Sequence, residues 1–252
     1  MPAMSLTNPH RALVLGYGSL LATVAGFVNA VAILTLAIPV GNLTATATRL
    51  GMDTARPWLF ESSVLVLILV GFLMGAAAAG ATLAPAKTHA GVRHSAVMIG
   101  EAVLLVLAFA WSTHTLSVFL AALACGLQNA TTSSLQTMQI RTTHFTGTVT
   151  DLGLILGRSC RHGIDRWRVT VLSATVVTFI IGSIAGTILG TRLDEAALLV
   201  PAAICVVIAI AGLSYDRRRP LPTSSSEPEP LAAANSYGPE ISNGSRAMYQ
   251  VG

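Results

Sequence analysis

The sequence predicts an all-α polytopic membrane protein: six transmembrane helices in two inverted three-helix repeats, with short broken or re-entrant segments after the first and fourth helices. Three observations predict it. Of 252 residues, 53% are hydrophobic and only 10% are charged, whereas a soluble domain carries roughly 25% charge. So few charges cannot coat a soluble fold, and a lipid bilayer is the natural solvent. Apolar runs long enough to cross hydrocarbon, which takes about 20 residues, recur along the chain. Finally, two phrases occur twice in the same order. G-x-x-N-A reads Gly26-Phe27-Val28-Asn29-Ala30 and then Gly126-Leu127-Gln128-Asn129-Ala130. T-x-T-x-L-G reads Thr46-Ala47-Thr48-Arg49-Leu50-Gly51 and then Thr148-Val149-Thr150-Asp151-Leu152-Gly153. Both pairs are separated by about 100 residues, which marks an internal duplication.

Residues 1–12 form a short N-terminus. The apolar run 13–38 is longer than a signal-peptide core of about 7–15 residues, so it reads as an uncleaved first span. Pro39, Gly41 and Asn42 break it, and a Thr-rich segment continues to Gly51. The second span, 58–83, places Gly71, Gly75 and Ala79 at four-residue spacing, and the third, 95–112, contains Glu101. These complete the first repeat, 13–114.

The second repeat, 115–215, opens with a span from 116 that turns polar at Gln128 and Asn129. In the polar connection 139–168 that follows, the apolar middle, 143–157, is about 15 residues long, too short to cross and suited to a re-entrant or interfacial segment. The fifth span, 169–190, carries Gly182, Gly186 and Gly190, and the sixth covers 196–215. Residues 216–252 are rich in Ser, Pro, Glu, Asn and Gly and read as a disordered cytoplasmic tail.

Orientation follows from Lys and Arg, which concentrate on the cytoplasmic side. With six spans and both termini inside, Arg11, Lys87, Arg93, Arg141, Arg158, Arg161, Arg166, Arg168, Arg217, Arg218, Arg219 and Arg246 are inside. Only Arg49, Arg56 and Arg192 are outside. An odd number of spans per repeat makes the second repeat enter from the opposite side, the inverted pattern of many secondary transporters.

The net charge of +4 does not point to nucleic acid, because the basic residues lie between apolar runs and after the last one. Cys125, Cys160 and Cys205 form no CxxC pair, and the six histidines form no zinc-type cluster. There is no P-loop, dinucleotide fingerprint or HExxH. The expectation is therefore a non-enzyme without catalytic residues, cofactor or metal.

The candidate residues lie in and around the repeated phrases. Asn29 and Asn129, with Gln128 beside the latter, are amides that either glue helices together or face a polar cavity. Asn42, Thr44, Thr46 and Thr48 follow Gly41, while Thr146, Thr148, Thr150 and Asp151 surround Gly147. Half-helices starting there would aim unpaired N–H groups inward and favour an anion. These residues are the candidate substrate site, for a small solute that could be anionic.

Glu101, the sole carboxylate well inside a span, is the candidate for proton or ion coupling. Gly26, Gly75, Gly126, Gly182 and Gly186 are candidates for close helix packing. Arg49 and Asp151 hold equivalent places with opposite charge. They either pair at the repeat interface, or Arg49 is solvated while Asp151 caps a helix or binds Arg158.

The phrases Ala25–Ala30, Gly41–Thr44, Gly126–Ala130 and above all Arg141–Gly153 resemble the YoaK-like family of small bacterial membrane proteins, a domain-of-unknown-function family described as permease-like. The resemblance covers 14–215 and implies a membrane location, a bacterial inner membrane and six spans, but no substrate. In such proteins an Asp often stands where this chain has Asn29, so the chain lacks a titratable group there. The leading expectation is a small secondary permease working by alternating access, with the bilayer as partner and self-association open. The alternative is a non-transporting membrane scaffold or regulator.

Overall fold

With no water to bond, a backbone in hydrocarbon must satisfy its N–H and C=O groups within helices or closed barrels. This chain uses helices. The computed structural model describes residues 8–57, 61–83, 92–112, 115–134 and 145–217. Among them are eight α-helices: α1 (Asn8–Leu36), α2 (Leu43–Ala55), α3 (Ser62–Thr82), α4 (Val92–Ala110), α5 (Thr115–Ser134), α6 (Phe145–His162), α7 (Arg166–Leu193) and α8 (Leu199–Arg217). A 3₁₀ turn, Asp194–Leu198, joins α7 to α8, and no strand occurs among the described residues.

Five stretches are long and apolar enough to cross a membrane: Arg11–Thr35, Ser62–Thr82, Val92–Ala110, Thr115–Ser134 and Arg166–Ser214. The last has 49 residues and runs through α7, the 3₁₀ turn and α8. The protein is a multi-pass helical membrane protein. Large apolar side chains such as Leu73 and Val207 point outward, 68% and 64% exposed, as expected of lipid-facing positions.

The first run ends earlier than its composition implies. Leu36 closes α1, and Ala37 turns into the left-handed region at φ 54°. Arg49 Nη1 donates to the Ala37 carbonyl at 3.4 Å, placing a cation at the negative end of α1. The Thr-rich segment is itself a helix, α2, whose N-cap Asn42 accepts from the Ala45 N–H at 3.2 Å.

The apolar middle of the long connection forms α6. Gly163 ends it at φ 73°, a conformation that suits glycine, and its N–H bonds the Ser159 carbonyl at 3.1 Å. Asp165 then caps α7, accepting from the Arg168 N–H at 3.1 Å. Lys87, Arg141 to His144 of the phrase Arg141–Gly153, and all of the expected tail beyond Arg217 lie outside the described residues. So do residues 1–7 of the expected N-terminus.

Two seams dominate the packing: α3 lies along α5, and α1 lies along α7. Glycines make both possible. A side chain at Gly75 would strike the Leu123 carbonyl, and one at Gly126 would strike the Phe72 carbonyl. In the other seam, Gly182 meets the Thr23 carbonyl and Gly26 meets the Phe179 carbonyl. Gly186 extends that seam: a Cβ there would stand 2.6 Å from the Phe27 carbonyl oxygen.

The contacts of one seam reappear in the other with the two halves exchanged. α2 on α3 likewise matches α6 on α7. Residues 21–30 and 121–130 share one succession of buried and half-buried positions, as do 44–52 and 146–154. The exchange fails most clearly where α4 packs along α5 whereas α8 touches α1 only lightly.

Candidate functional site

A cavity of about 810 Å³ lies where the breaks meet the long helices. Both halves build it from the same parts. Asn29 of α1 and Asn129 of α5 face it, as do the start of α2 (Asn42, Leu43 and Thr44) and the start of α6 (Phe145 and Thr146). Phe72 of α3 and Phe179 of α7 complete the matched set.

The remaining wall belongs to Gly41, just before α2, and to α7. Ser183 and Thr187 supply hydroxyls, while Ile180, Ile184 and Ile188 supply an apolar strip. Those isoleucines are 46%, 54% and 47% exposed, so the cavity opens along α7. No charged side chain lines it among the described residues.

The local geometry follows from the break. Asn29 Oδ1 accepts from the N–H of buried Gly41 at 3.2 Å, tying α1 to the residue just before the α2 cap. The amide thus satisfies a backbone donor freed by the end of α1 and leaves its NH₂ group available for other partners. Ser183 donates to the Gly26 carbonyl at 3.2 Å across the α1–α7 seam. Asn129 occupies the equivalent place on α5 and has a partner of its own.

The cavity therefore brings together Asn29, Asn42, Thr44, Asn129 and Thr146. The other candidates lie elsewhere. Thr46 is fully buried and donates to the Asn42 carbonyl at 3.2 Å, while Thr148, its counterpart, is 8% exposed. Thr48 and Thr150 donate to the Thr44 and Thr146 carbonyls, each at 2.9 Å, so both hydroxyl protons are engaged within their own helices.

Gln128 is 1% exposed, and its Nε2 donates to the Leu21 carbonyl of α1 at 3.3 Å, which makes it interhelical glue. Asp151 pairs with Arg168 of α7 at 3.1 Å, on a partly exposed surface. Its partner is thus neither Arg49 nor Arg158, because α6 folds back on the first turn of α7. Glu101 is buried among α4, α5 and α8, away from the cavity.

Sequence reasoning missed Phe72 and Phe179. A third repeated phrase signals them: Phe72-Leu73-Met74-Gly75 and Phe179-Ile180-Ile181-Gly182 share F-x-x-G. It also missed Tyr17 and His94, whose hydroxyl and Nε2 are hydrogen-bonded between α1 and α4.

What the cavity offers chemically is two helix starts, two amides, a few hydroxyls and an aromatic and aliphatic lining. No metal-binding cluster of His, Cys, Asp or Glu occurs among the described residues. No curated protein and no solved structure matches the chain. The family model described as "protein of unknown function (DUF1275)" matches residues 17–211, and the chain belongs to that family.

Proposed function

We propose that the chain is a small secondary permease working by alternating access, with this cavity as its solute site. The observation that carries the reading is the double contribution: each half supplies an Asn, a short-helix start and a Phe to one cavity. In this reading α1, α3, α4, α5, α7 and α8 are six spans, related as inverted three-helix repeats, with both termini cytoplasmic. The placement of Arg and Lys supports that orientation. Many secondary transporters place discontinuous helices of two inverted repeats around one site near the bilayer midplane.

The largest departure from exchange among the helix pairs supports movement. α4 is closed against α5, while the equivalent pair, α8 and α1, is in only light contact. Exchanging those roles gives a second state of similar packing, open to the other side. The glycine seams carry α3 with α5 and α1 with α7 as rigid pairs.

The solute class we favour is a small organic anion. The first turns of α2 and α6 favour negative charge. Amides and hydroxyls orient a polar head, and the phenyl rings and isoleucines cover an apolar body.

The test is counterflow of radiolabelled small carboxylates into vesicles holding the full chain. Asn29→Ala and Asn129→Ala are expected to reduce counterflow together. If carboxylates, inorganic anions, sugars and amines all fail to exchange, the permease reading falls and a non-transporting membrane scaffold stands. Single-cysteine probes check the topology: positions beside Arg56 and Arg192 should label from outside, and labelling beside Arg158 from outside would contradict the orientation.

A further inference from the structure

Glu101 is the most deeply buried carboxyl among the described residues, 1% exposed, and its Oε2 meets no hydrogen-bond donor. The titratable groups that face it come from three other helices: Cys205 of α8, close enough to bond the carboxyl, Cys125 of α5, and Tyr17 of α1. The helix α3 supplies no titratable group there, and of the 3₁₀ turn Asp194 is exposed and Glu195 half-buried. No Lys or Arg pairs with Glu101 among the described residues.

A carboxylate left unpaired at such depth is opposed by several kcal/mol of lost solvation, so something must neutralise it. A hard cation needs about six or more oxygen ligands, and thiols supply none. A proton needs only the carboxyl itself.

A route for that proton is also present. His94, Met98 and Glu101 follow one another along α4 at spacings that keep them on one face. The Tyr17 hydroxyl is hydrogen-bonded to His94 Nε2 and lies 3.8 Å from Met98 Sδ. His94 is 5% exposed and sits in the first turn of α4. A phenol and an imidazole in contact can each accept one proton while releasing another.

We propose that Glu101 is a proton-binding site loaded through the Tyr17–His94 pair from the α4 end at which His94 lies. The O–H bond of Tyr17 breaks as its proton forms an O–H bond on Glu101, the Tyr17 oxygen takes a proton from His94 Nε2, and His94 is reprotonated from its own end of α4. Position for position, α8 carries Ile208 where α4 carries Glu101, so the two 19-residue helices hold one such site between them. The assignment depends on the permease reading only for what the proton would drive.

The test uses infrared difference spectroscopy of the full chain in lipid vesicles, between acidic and alkaline pH, with no solute added. A carboxylic-acid carbonyl band should titrate and vanish in Glu101→Gln. Glu101→Asp should shift the band rather than remove it, which covers the case of a Gln variant that fails to fold. Tyr17→Phe and His94→Ala should leave the band in place and slow its hydrogen–deuterium exchange by roughly 100-fold. A spectrum without a titrating acid, or one unchanged in Glu101→Asp, overturns the proton site and leaves the cavity reading intact. Exchange unaltered in both relay variants overturns the route. A titrating band in a protein that exchanges no solute retains the site and removes the permease.

Discussion

The backbone carbonyl of Phe179 occupies the place where a side chain on residue 26 would begin. Phe72 stands in the same relation to Gly126. These two close approaches let α1 meet α7 and α5 meet α3, and they set the Phe rings at the rim of the cavity. Gly26→Ala and Gly126→Ala should each cost about 1–3 kcal/mol, the usual penalty of overpacking. At Gly16 and Gly80 a Cβ would find no neighbour within 4 Å, so Ala there should be neutral or slightly stabilising. Thermal melting of the detergent-solubilised protein compares all four, and equal midpoints would contradict the seam.

Asn29 should separate stability from binding. Asn29→Ala leaves the Gly41 N–H without its acceptor, at a cost of about 1–3 kcal/mol. Asn29→Asp keeps the acceptor and should recover most of that stability, while its negative charge expels carboxylates from the cavity. Melting with and without solute measures both effects. An Asp variant as unstable as the Ala variant would show that the hydrogen bond to Gly41 does not hold the break.

Asp151 and Arg168 form a partly exposed pair, with side chains 44% and 55% accessible. Such pairs contribute about 0–1 kcal/mol and weaken in salt. Asp151→Arg should therefore destabilise only slightly, and combining it with Arg168→Asp should restore wild-type behaviour. Combining it with Arg49→Asp should not, because Arg49 reaches the Ala37 carbonyl instead. A double-mutant cycle on melting temperature reads the difference, and rescue by the Arg49 exchange would refute the assigned pairing.

Gln128 tests whether an amide near the cavity belongs to it. Gln128→Met preserves volume and removes only one bond to a helical carbonyl, so counterflow should persist with a loss of about 1 kcal/mol in stability. Gln128→Glu buries a charge at a fully enclosed position and should cost about 3–5 kcal/mol. Counterflow lost in a well-folded Met variant would return Gln128 to the solute site.

The features legible in the sequence are those that depend on periodicity and breaks. The apolar runs, the interruption after α1, the short segment at α6 and the glycine rows all follow from local composition. Periodicity tells which face of a helix a residue occupies, but not which neighbour covers that face. Gln128 and Asn129 are adjacent in sequence, yet one points to Leu21 and the other to the cavity. By sequence alone Asp151 is equally compatible with Arg49, Arg158 or a cap; only the fold of α6 against α7 places Arg168 beside it. Tyr17 and His94 share no phrase and lie 77 residues apart, so nothing local joins them. Phe72 and Phe179 are readable in principle, because F-x-x-G recurs, but an aromatic in an apolar run draws no notice by itself.

The pairing of α1 with α7 also governs how the protein comes to be made. The main partner of α1 begins roughly 130 residues after α1 ends, on the order of ten seconds of synthesis at about 5–20 residues per second. Throughout that time Gly26 lacks the Phe179 backbone that fits against it. A nascent chain that stops before α7 is therefore an incomplete half-interlock, and membrane quality control that senses such an unmatched helix face would meet it before any finished copy exists.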